Sequence, residues 1–522
     1  MICGIALARG TTAFAGDIFT KPTAEELAMK EQPGYPGAAA VVLNEEQITN
    51  AENHSQTHYE RIKILTEKGK EYANVELRFV SGKGDVFWSG DEKSVTDIQG
   101  RTIHSDGTII PFTGKPYTKV LENASQYKYQ ARVFSLPDVE IGSIIEYRYV
   151  IRIGDNSYEA PDWYIQGPLF MRAAHYEWRP TTARLSAGDK GSISSIAWYP
   201  VLPKGVDVVR TEKPTGGLIF SLSINDVPPM PHDDYMPPIE SFTYRVLFTY
   251  SIYRSQAEFW KAEAGEWSKN LNTFTGPDNT LTSATQQIIA GANTQDEKLR
   301  KIYAAVMALE NTWFTRSRGE KEDKSEGLKK VNHASDVLAH GRGDGTELTE
   351  LFVGMARAAG MNAYFMMVAD RSRSLFVPQW MNFRQLNSIV AVVNVDGQEK
   401  FFDPSSRYCG YGRLVWSDTF ASGVRQTGTN TSDFARTPGE SYTANVTKRI
   451  GDLTLDESGE VHGPLTVTYT GAAALAWRQR ALRGDDESLH HGLRTDMEET
   501  LPKGMEVKID GIDGVTDYEK PL

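Results

Sequence analysis

The sequence predicts an α+β protein of several domains, and three observations predict it. Up to about residue 255, short β-branched and aromatic runs alternate with turn signals. Amphipathic helices begin near Gln256. A helix followed by three strand-like runs then spans Asp344 to Asp403. The expected order is an N-terminal antiparallel β-sandwich region, an α+β core, and a partial C-terminal β-rich piece. The boundaries fall at 1–37 (signal remnant and linker), 38–255, 256–420 and 421–522. A chain of 522 residues has the length for roughly three to four domains.

In order along the chain, Thr23 to Lys30 reads as a short helix, followed by the Pro/Gly-rich stretch 32–37, an arm or linker. Candidate strands are Ala39–Leu43, Tyr59–Leu65, Val75–Val80, Tyr127–Phe134, Ile144–Ile153 and Ala174–Trp178. Ile193–Tyr199, Leu218–Ile224 and Thr243–Tyr253 follow. In Ile144 to Val150 the charged Glu146 and Arg148 share one face, as half-buried strands require. Turns are expected at Ser105-Asp106-Gly107 and Gly154-Asp155-Asn156. Helices are expected over Glu258–Leu271, Leu281–Ala290 and Asp296–Leu309, and the charged, aperiodic stretch 316–333 reads as a solvated loop.

Asp344 can cap a helix and Glu347 can complete a capping box. Leu348, Leu351, Phe352, Met355 and Ala359 recur at helical spacing, and Gly360 is a natural stop. Tyr364–Val368 and Ser388–Val395 read as strands, Asp396-Gly397 as a hairpin turn, and Lys400–Phe402 as a strand ending at Asp403. After a loop to about 440, a strand is expected over Leu465–Tyr469, helices over Ala472–Leu482 and Ser488–Leu501, and a strand over Val507–Ile512. The abrupt end at Pro521-Leu522 gives the C-terminal piece the look of a truncated domain.

The net charge of −12 argues against a nucleic-acid binder, which needs a basic face. No apolar run is long enough to span a bilayer. The apolar run Ile2–Ala8 and Ala13-Phe14-Ala15 before Gly16 fit the tail of a secretory signal, which would make the protein periplasmic or secreted. A disordered tail is the alternative. Cleavage would remove Cys3 and leave Cys409 without a disulfide partner. Metal-ligand spacing is absent, and no cofactor is expected. His490-His491 fit a polar helix surface, and His232-Asp233-Asp234 a Pro-rich loop with acids.

Gly343-Asp344 before a helix, a strand opening after Asn387, and Phe402-Asp403-Pro404 closing the next strand together resemble the transglutaminase-like core of the papain-like cysteine enzymes. In that family a Cys follows the Gly-Asp pair, a His lies on the following strand, and an Asp precedes a Pro one strand later. The resemblance places Gly345 at the Cys, Ser388 at the His and Asp403 at the Asp. Phe134-Ser135-Leu136-Pro137-Asp138 through Ile145-Glu146-Tyr147, with Val227-Pro228-Pro229 and Met236-Pro237-Pro238, resembles the bacterial domain of unknown function 3857, which commonly precedes such cores in exported proteins. Together the resemblances cover roughly residues 38–420.

Thiol catalysis needs a thiolate and an imidazole base. Gly345 and Ser388 supply neither, so the triad is degenerate and no catalytic residue is expected. Trp380 and Phe383 lead into the Ser388 strand; with Asp403 they are the candidate binding residues, or else core. Cys409 lies at a Gly-rich turn with nothing to lower its pKa, and His340 sits in a loop near the pocket mouth. The expected function is therefore an exported binding or scaffold protein for a peptide or other cell-envelope ligand. Alternatives are a hydrolase or acyltransferase using Ser388, Asp403 or His340, and a purely structural core with a filled cleft.

Overall fold

The computed structural model describes residues 19–81, 93–123, 128–154, 160–182, 195–214, 216–316, 320–428, 430–502 and 504–522. The signal-like segment, Asp155-Asn156 and the start of the predicted 193–199 strand lie outside them. The chain forms two compact units, one of residues 1–233 and 243–250, the other of 234–242 and 251–522.

The first unit is built from α1 (Ala24–Ala28) and fourteen strands. They are β1 (Ala40–Asn50), β2 (Ser55–Ile64), β3 (Asn74–Ser81), β4 (Lys93–Ile103), β5 (Ile109–Pro111), β6 (Tyr117–Asn123) and β7 (Lys128–Ser135). Then come β8 (Ile144–Ile153), β9 (Asp162–Tyr164), β10 (Phe170–Arg179), β11 (Ser195–Val201), β12 (Val209–Glu212), β13 (Leu218–Val227) and β14 (Arg245–Ser251). Eight form one sheet, ordered β12-β13-β10-β1-β2-β8-β4-β5. Two three-stranded sheets, β3-β7-β6 and β11-β14-β9, share a core with it. Most neighbouring pairs run antiparallel as expected, whereas β1 and β10 run parallel. Trp163, Tyr176, Trp178 and Phe220 fill this core, each at most 1 % exposed.

The other face of the large sheet is not left to solvent. Residues 19–37, expected as a linker, cover it: Leu27, Met29 and Tyr35 pack with Val41, Leu43 and Phe170. The cause is charge. Lys63 of β2 is fully buried and donates to the Leu27 and Gly142 carbonyls at 2.8 and 2.6 Å. Arg61 donates to the Thr20 carbonyl at 2.6 Å, and an ammonium or guanidinium taken from water needs such partners.

The second unit opens with helices α2 (Gln256–Phe274), α3 (Asn279–Ile288) and α4 (Gln295–Ala308). A two-residue strand β15 (Glu310–Asn311), α5 (Glu320–Ser325), α6 (Ala334–His340) and β16 (Arg342–Gly343) lead to α7 (Gly345–Ala358). The helix α5 stands inside the stretch expected to be loop. Its Asp323, with Glu326, binds the Arg342 guanidinium at 2.7 Å each, which gives the acidic run a fixed partner.

Strands β17 (Ala363–Val368), β18 (Ser388–Val395), β19 (Gln398–Phe402), β20 (Ser422–Gly428) and β21 (Thr431–Arg436) form one sheet, ordered β19-β18-β17-β20-β21. This corrects the boundary at 420: β20 and β21 complete the core's sheet. Arg357 of α7 shows why they belong there. It is part-buried among Asn272, Thr275 and Gln426 of β20, donating to all three within 3.0 Å. The apolar face of α7 packs on Ile389, Ala391 and Val393, a core shared with α3, α4 and α6.

Beyond the sheet, β22 (Thr447–Gly451) is followed by the two-residue β23 (Thr454–Leu455) and β24 (Val461–His462), then β25 (Leu465–Tyr469). β22 pairs with β25, and helices α8 (Gly471–Arg483) and α9 (Asp486–Thr500) follow. Residues 507–512 are not a strand. Ile509 and Ile512 pack in one cluster with α8, α9 and Tyr469 of β25, and among the described residues no strand pairs with this segment.

Candidate functional site

The site is built around the N-terminus of α7. Asp344 Oδ1 accepts the Glu347 amide at 2.8 Å and Glu347 Oε2 accepts the Asp344 amide at 2.9 Å, so the predicted capping box is formed. Gly345 is therefore the first residue of the helix, where a side chain would face the mouth of the site. That space is taken. A Cβ built on Gly345 would lie 2.3 Å from the Trp313 ring and 3.0 Å from the Ser405 Cβ.

Trp313 is fixed there by backbone pairing. β15 and β16 align in parallel, and the Thr312 amide donates to the Gly343 carbonyl at 3.0 Å. Buried Asn311 accepts the Trp313 amide at 3.1 Å and donates to the Ser405 carbonyl at 2.8 Å. Trp313 is 54 % exposed, so it lies against Gly345 as a half-open surface rather than a core plug.

This contact gives a direct test. Gly345→Ala should cost about 1–2 kcal/mol in a urea melt, because the ring must give way. In a Trp313→Ala background the same change should cost markedly less. Equal cost in both backgrounds would place the ring elsewhere in solution.

Ser388 and Asp403 are linked to each other through an acid that sequence reasoning missed. Asp403 is fully buried, and its Oδ1 accepts the Ser405 hydroxyl at 2.5 Å and the Ser406 amide at 3.1 Å. Ser388, the first residue of β18, donates its hydroxyl to Asp418 Oδ2 at 2.6 Å. Asp418 is 1 % exposed, in the short turn Trp416–Asp418. Burial raises both carboxyls: Asp403 to about 6, and Asp418 to about 7, where the charge of Asp403 adds to the effect. Asp403 Oδ2 and Asp418 Oδ1 have no hydrogen-bond partner among the described residues. Two buried carboxyls with no ion-pairing base hold a proton between them more easily than two charges.

So a chain of contacts runs from Gly345 through Ser405 to Asp403, and electrostatically through Asp418 to Ser388. Nothing in a lone Trp-Ser-Asp in a loop marks Asp418 in the sequence. The signal would have been an acid within reach of a serine on a neighbouring strand, a distance the chain does not print.

The remaining candidates lie elsewhere. Phe383 packs with α2, 5.9 Å from the Trp260 ring and 6.3 Å from the Trp267 ring. Trp380 is part-buried, its Nε1 without a partner among the described residues. Its loop is held by Gln385, which donates to the carbonyls of Val377, Trp380 and Asn382. No described hydrogen bond or ring contact ties Trp380 or Phe383 directly to Gly345, Ser388 or Asp403.

His340 ends α6 rather than sitting in a loop. The Cys409 thiol is buried, which pushes it well up, and the charge of Asp403 adds to this; it remains a thiol that contacts the Arg413 carbonyl at 3.5 Å. His490 and His491 are exposed on α9, and His232, Asp233 and Asp234 are exposed. No described group of His, Cys, Asp and Glu has the geometry of a metal site, and no described helix is long and apolar enough to cross a membrane.

Residues 50–253 match the profile of a domain of unknown function with a solved structure, DUF3857, and residues 282–385 that of the transglutaminase-like superfamily. The second match includes Gly345 and stops short of Ser388. Among solved structures, a candidate protease from Parabacteroides distasonis is 15 % identical with a TM-score of 0.49, covering 77 % of this chain and 72 % of its own. A candidate cysteine protease from Cytophaga hutchinsonii is 7 % identical with a TM-score of 0.20, covering 60 % and 79 %. Both overlaps are too loose to carry an argument about this chain. No curated protein matches. The family assignment rests on the two profiles: in this chain a segment similar to DUF3857 precedes a segment similar to the transglutaminase-like superfamily.

Proposed function

We propose that this protein performs no thiol chemistry and acts as an exported binding or scaffold protein, its relic cleft receiving an extended peptide. The observation that carries the first half is Gly345 at the first turn of α7 with the Trp313 ring across it. A helix N-terminus that would activate a thiol meets an indole instead. The half-exposed Trp313 offers the flat apolar surface that peptide recognition uses. The export setting rests on the Ala13-Phe14-Ala15 segment alone. Purified protein should show neither peptide hydrolysis nor amine incorporation. An activity abolished by iodoacetamide would overturn this, since the chain has only two cysteines and Cys409 is buried.

One observation favours a second reading, a hydrolase or acyltransferase using other groups. The Ser388 hydroxyl donates to Asp418, a carboxyl held up to about 7 and so able to exchange a proton near neutrality. On that reading, any measured hydrolysis is lost in Ser388→Ala and in Asp403→Asn with melting temperatures unchanged. Hydrolysis that survives both changes removes these residues from the mechanism.

A further inference from the structure

The inner face of the large sheet in the first unit carries a polar patch that the relic cleft does not explain. Cross-strand pairing sets Glu45 of β1 opposite Glu60 of β2, and Gln47 opposite His58. Tyr147 and Tyr149 of β8 lie opposite Glu60 and His58, and Tyr176 of β10 lies opposite Gln47. Tyr176 donates to Glu45 at 2.8 Å, and Tyr147 donates to Glu60. His58 stacks on Tyr149, centroids 4.7 Å apart and planes within 4°.

The patch has the form of a recess with a buried floor. Gln47, Tyr147 and Tyr176 are at most 7 % exposed, whereas Glu45, His58, Glu60 and Tyr149 are only part-buried. The part-buried groups are nonetheless strongly desolvated. Glu45 is raised to about 8, first by burial and then by Glu60; Glu60 is raised as well; and burial lowers His58 to about 4. Groups that water can touch but that protein surrounds lie in a concavity.

Two features of the recess are unfinished. Glu45 and Glu60 form no ion pair with a described lysine or arginine, and the other titratable groups facing them, His58, Tyr72, Tyr147, Tyr149 and Tyr176, are uncharged near neutrality. The Gln47 Nε2 and His58 Nε2 are buried with no hydrogen-bond partner among the described residues. An orphan amide donor on a side chain 93 % buried costs about 1–3 kcal/mol unless something occupies the recess.

We propose that this recess binds a small organic ammonium compound, the cation lying against Glu45 and Glu60 and an adjoining carbonyl oxygen meeting the Gln47 amide. A cation supplies the charge the two acids lack. The tyrosine rings beside them offer the faces on which ammonium groups rest. An acceptor next to the cation completes Gln47. A neutral polyol would satisfy Gln47 and leave the acids uncompensated.

The test titrates the full chain calorimetrically with glycinamide and with glycolamide, its uncharged hydroxyl counterpart. Glycinamide should bind and glycolamide should not. The bound cation pulls the Glu45 carboxyl below 7, so its proton passes to the buffer. Binding at pH 7 should then release up to about one proton per molecule, read from buffers of different ionisation enthalpy, and should tighten from pH 6 to 8. Glu45→Gln should weaken glycinamide at least about tenfold. Gln47→Leu should weaken glycinamide and leave n-propylamine, which has no carbonyl, unaffected; it also serves if Glu45→Gln does not fold. No glycinamide binding, meaning a recess that holds solvent only, overturns the proposal. So does glycolamide binding as tightly, or an unchanged affinity in the variants.

Discussion

Glu146→Ala should cost about 3–5 kcal/mol of unfolding free energy, because it removes the buried carboxylate that two buried guanidinium groups share. Glu146 is fully buried on β8. Its Oε1 accepts Arg101 at 2.5 Å, and its Oε2 accepts Arg61 at 2.9 Å and the Tyr59 hydroxyl at 2.6 Å. Both arginines are under 10 % exposed, and both also donate to the Thr20 carbonyl. One buried carboxylate thus pairs with two cations, Arg61 also meeting Glu26 at 3.3 Å, and ties three strands to the N-terminal arm. Surface ion pairs contribute little, but here water cannot replace the lost partner. Urea denaturation of Glu146→Ala reads the loss. Glu146→Gln, which keeps the acceptor oxygen and removes the charge, should fall between Ala and wild type. A loss under about 1 kcal/mol for Ala would mean that the arginines reach solvent. Removing residues 19–30 should also destabilise the sheet, since Arg61 and Lys63 lose their carbonyl partners.

Glu146 also shows what the sequence could reveal. Its alternation with Tyr147 was visible as period two; that its face is buried under residues 19–37 was not, because charge normally marks solvent. Local rules read well where one element decides the outcome. The Asp344–Glu347 capping box and the bounds of β18 follow from adjacent residues. So does the Asp396-Gly397 turn, whose φ values of 52° and 83° suit a two-residue hairpin. β4 escaped notice because a register shift between Thr96 and Gln99 breaks its alternation, with Asp97 at φ 52°. β20 escaped because Ser422 to Gly428 is largely polar, and its place is fixed by pairing with β17 more than fifty residues back in the chain. The placing of Gly345, Ser388 and Asp403 at the triad positions comes from the family resemblance. The groups between them, Trp313, Ser405 and Asp418, come from segments whose local sequence carries no catalytic pattern.

Asp418→Asn should stabilise the protein above pH 7 and have little effect below about pH 4. The native state raises Asp403 to about 6 and Asp418 to about 7, while an unfolded aspartate titrates near about 3.9. The folded chain therefore holds more protons than the unfolded chain between those limits. The contribution of the pair is fully present below the unfolded value, and it is lost as pH rises through 6 and 7. For Asp418 alone the shift corresponds to an upper figure on the order of 4 kcal/mol. Asparagine keeps an oxygen for the Ser388 hydroxyl at the Oδ2 position and carries no charge at any pH. With the like charge gone, Asp403 should titrate lower, assisted by Ser405 and Ser406. Urea denaturation of both proteins from pH 4 to 9 should give curves that separate as pH rises from about 4 to 7 and keep that separation above it, about 2 kcal/mol or more at the alkaline end. Parallel curves would show that Asp418 is ionised throughout and that the two acids do not share a proton. The expected separation would establish that the position of the family's catalytic Asp now belongs to an acid pair. Such a pair would give Asp403 a part in the fold that needs neither a thiol nor an imidazole beside it.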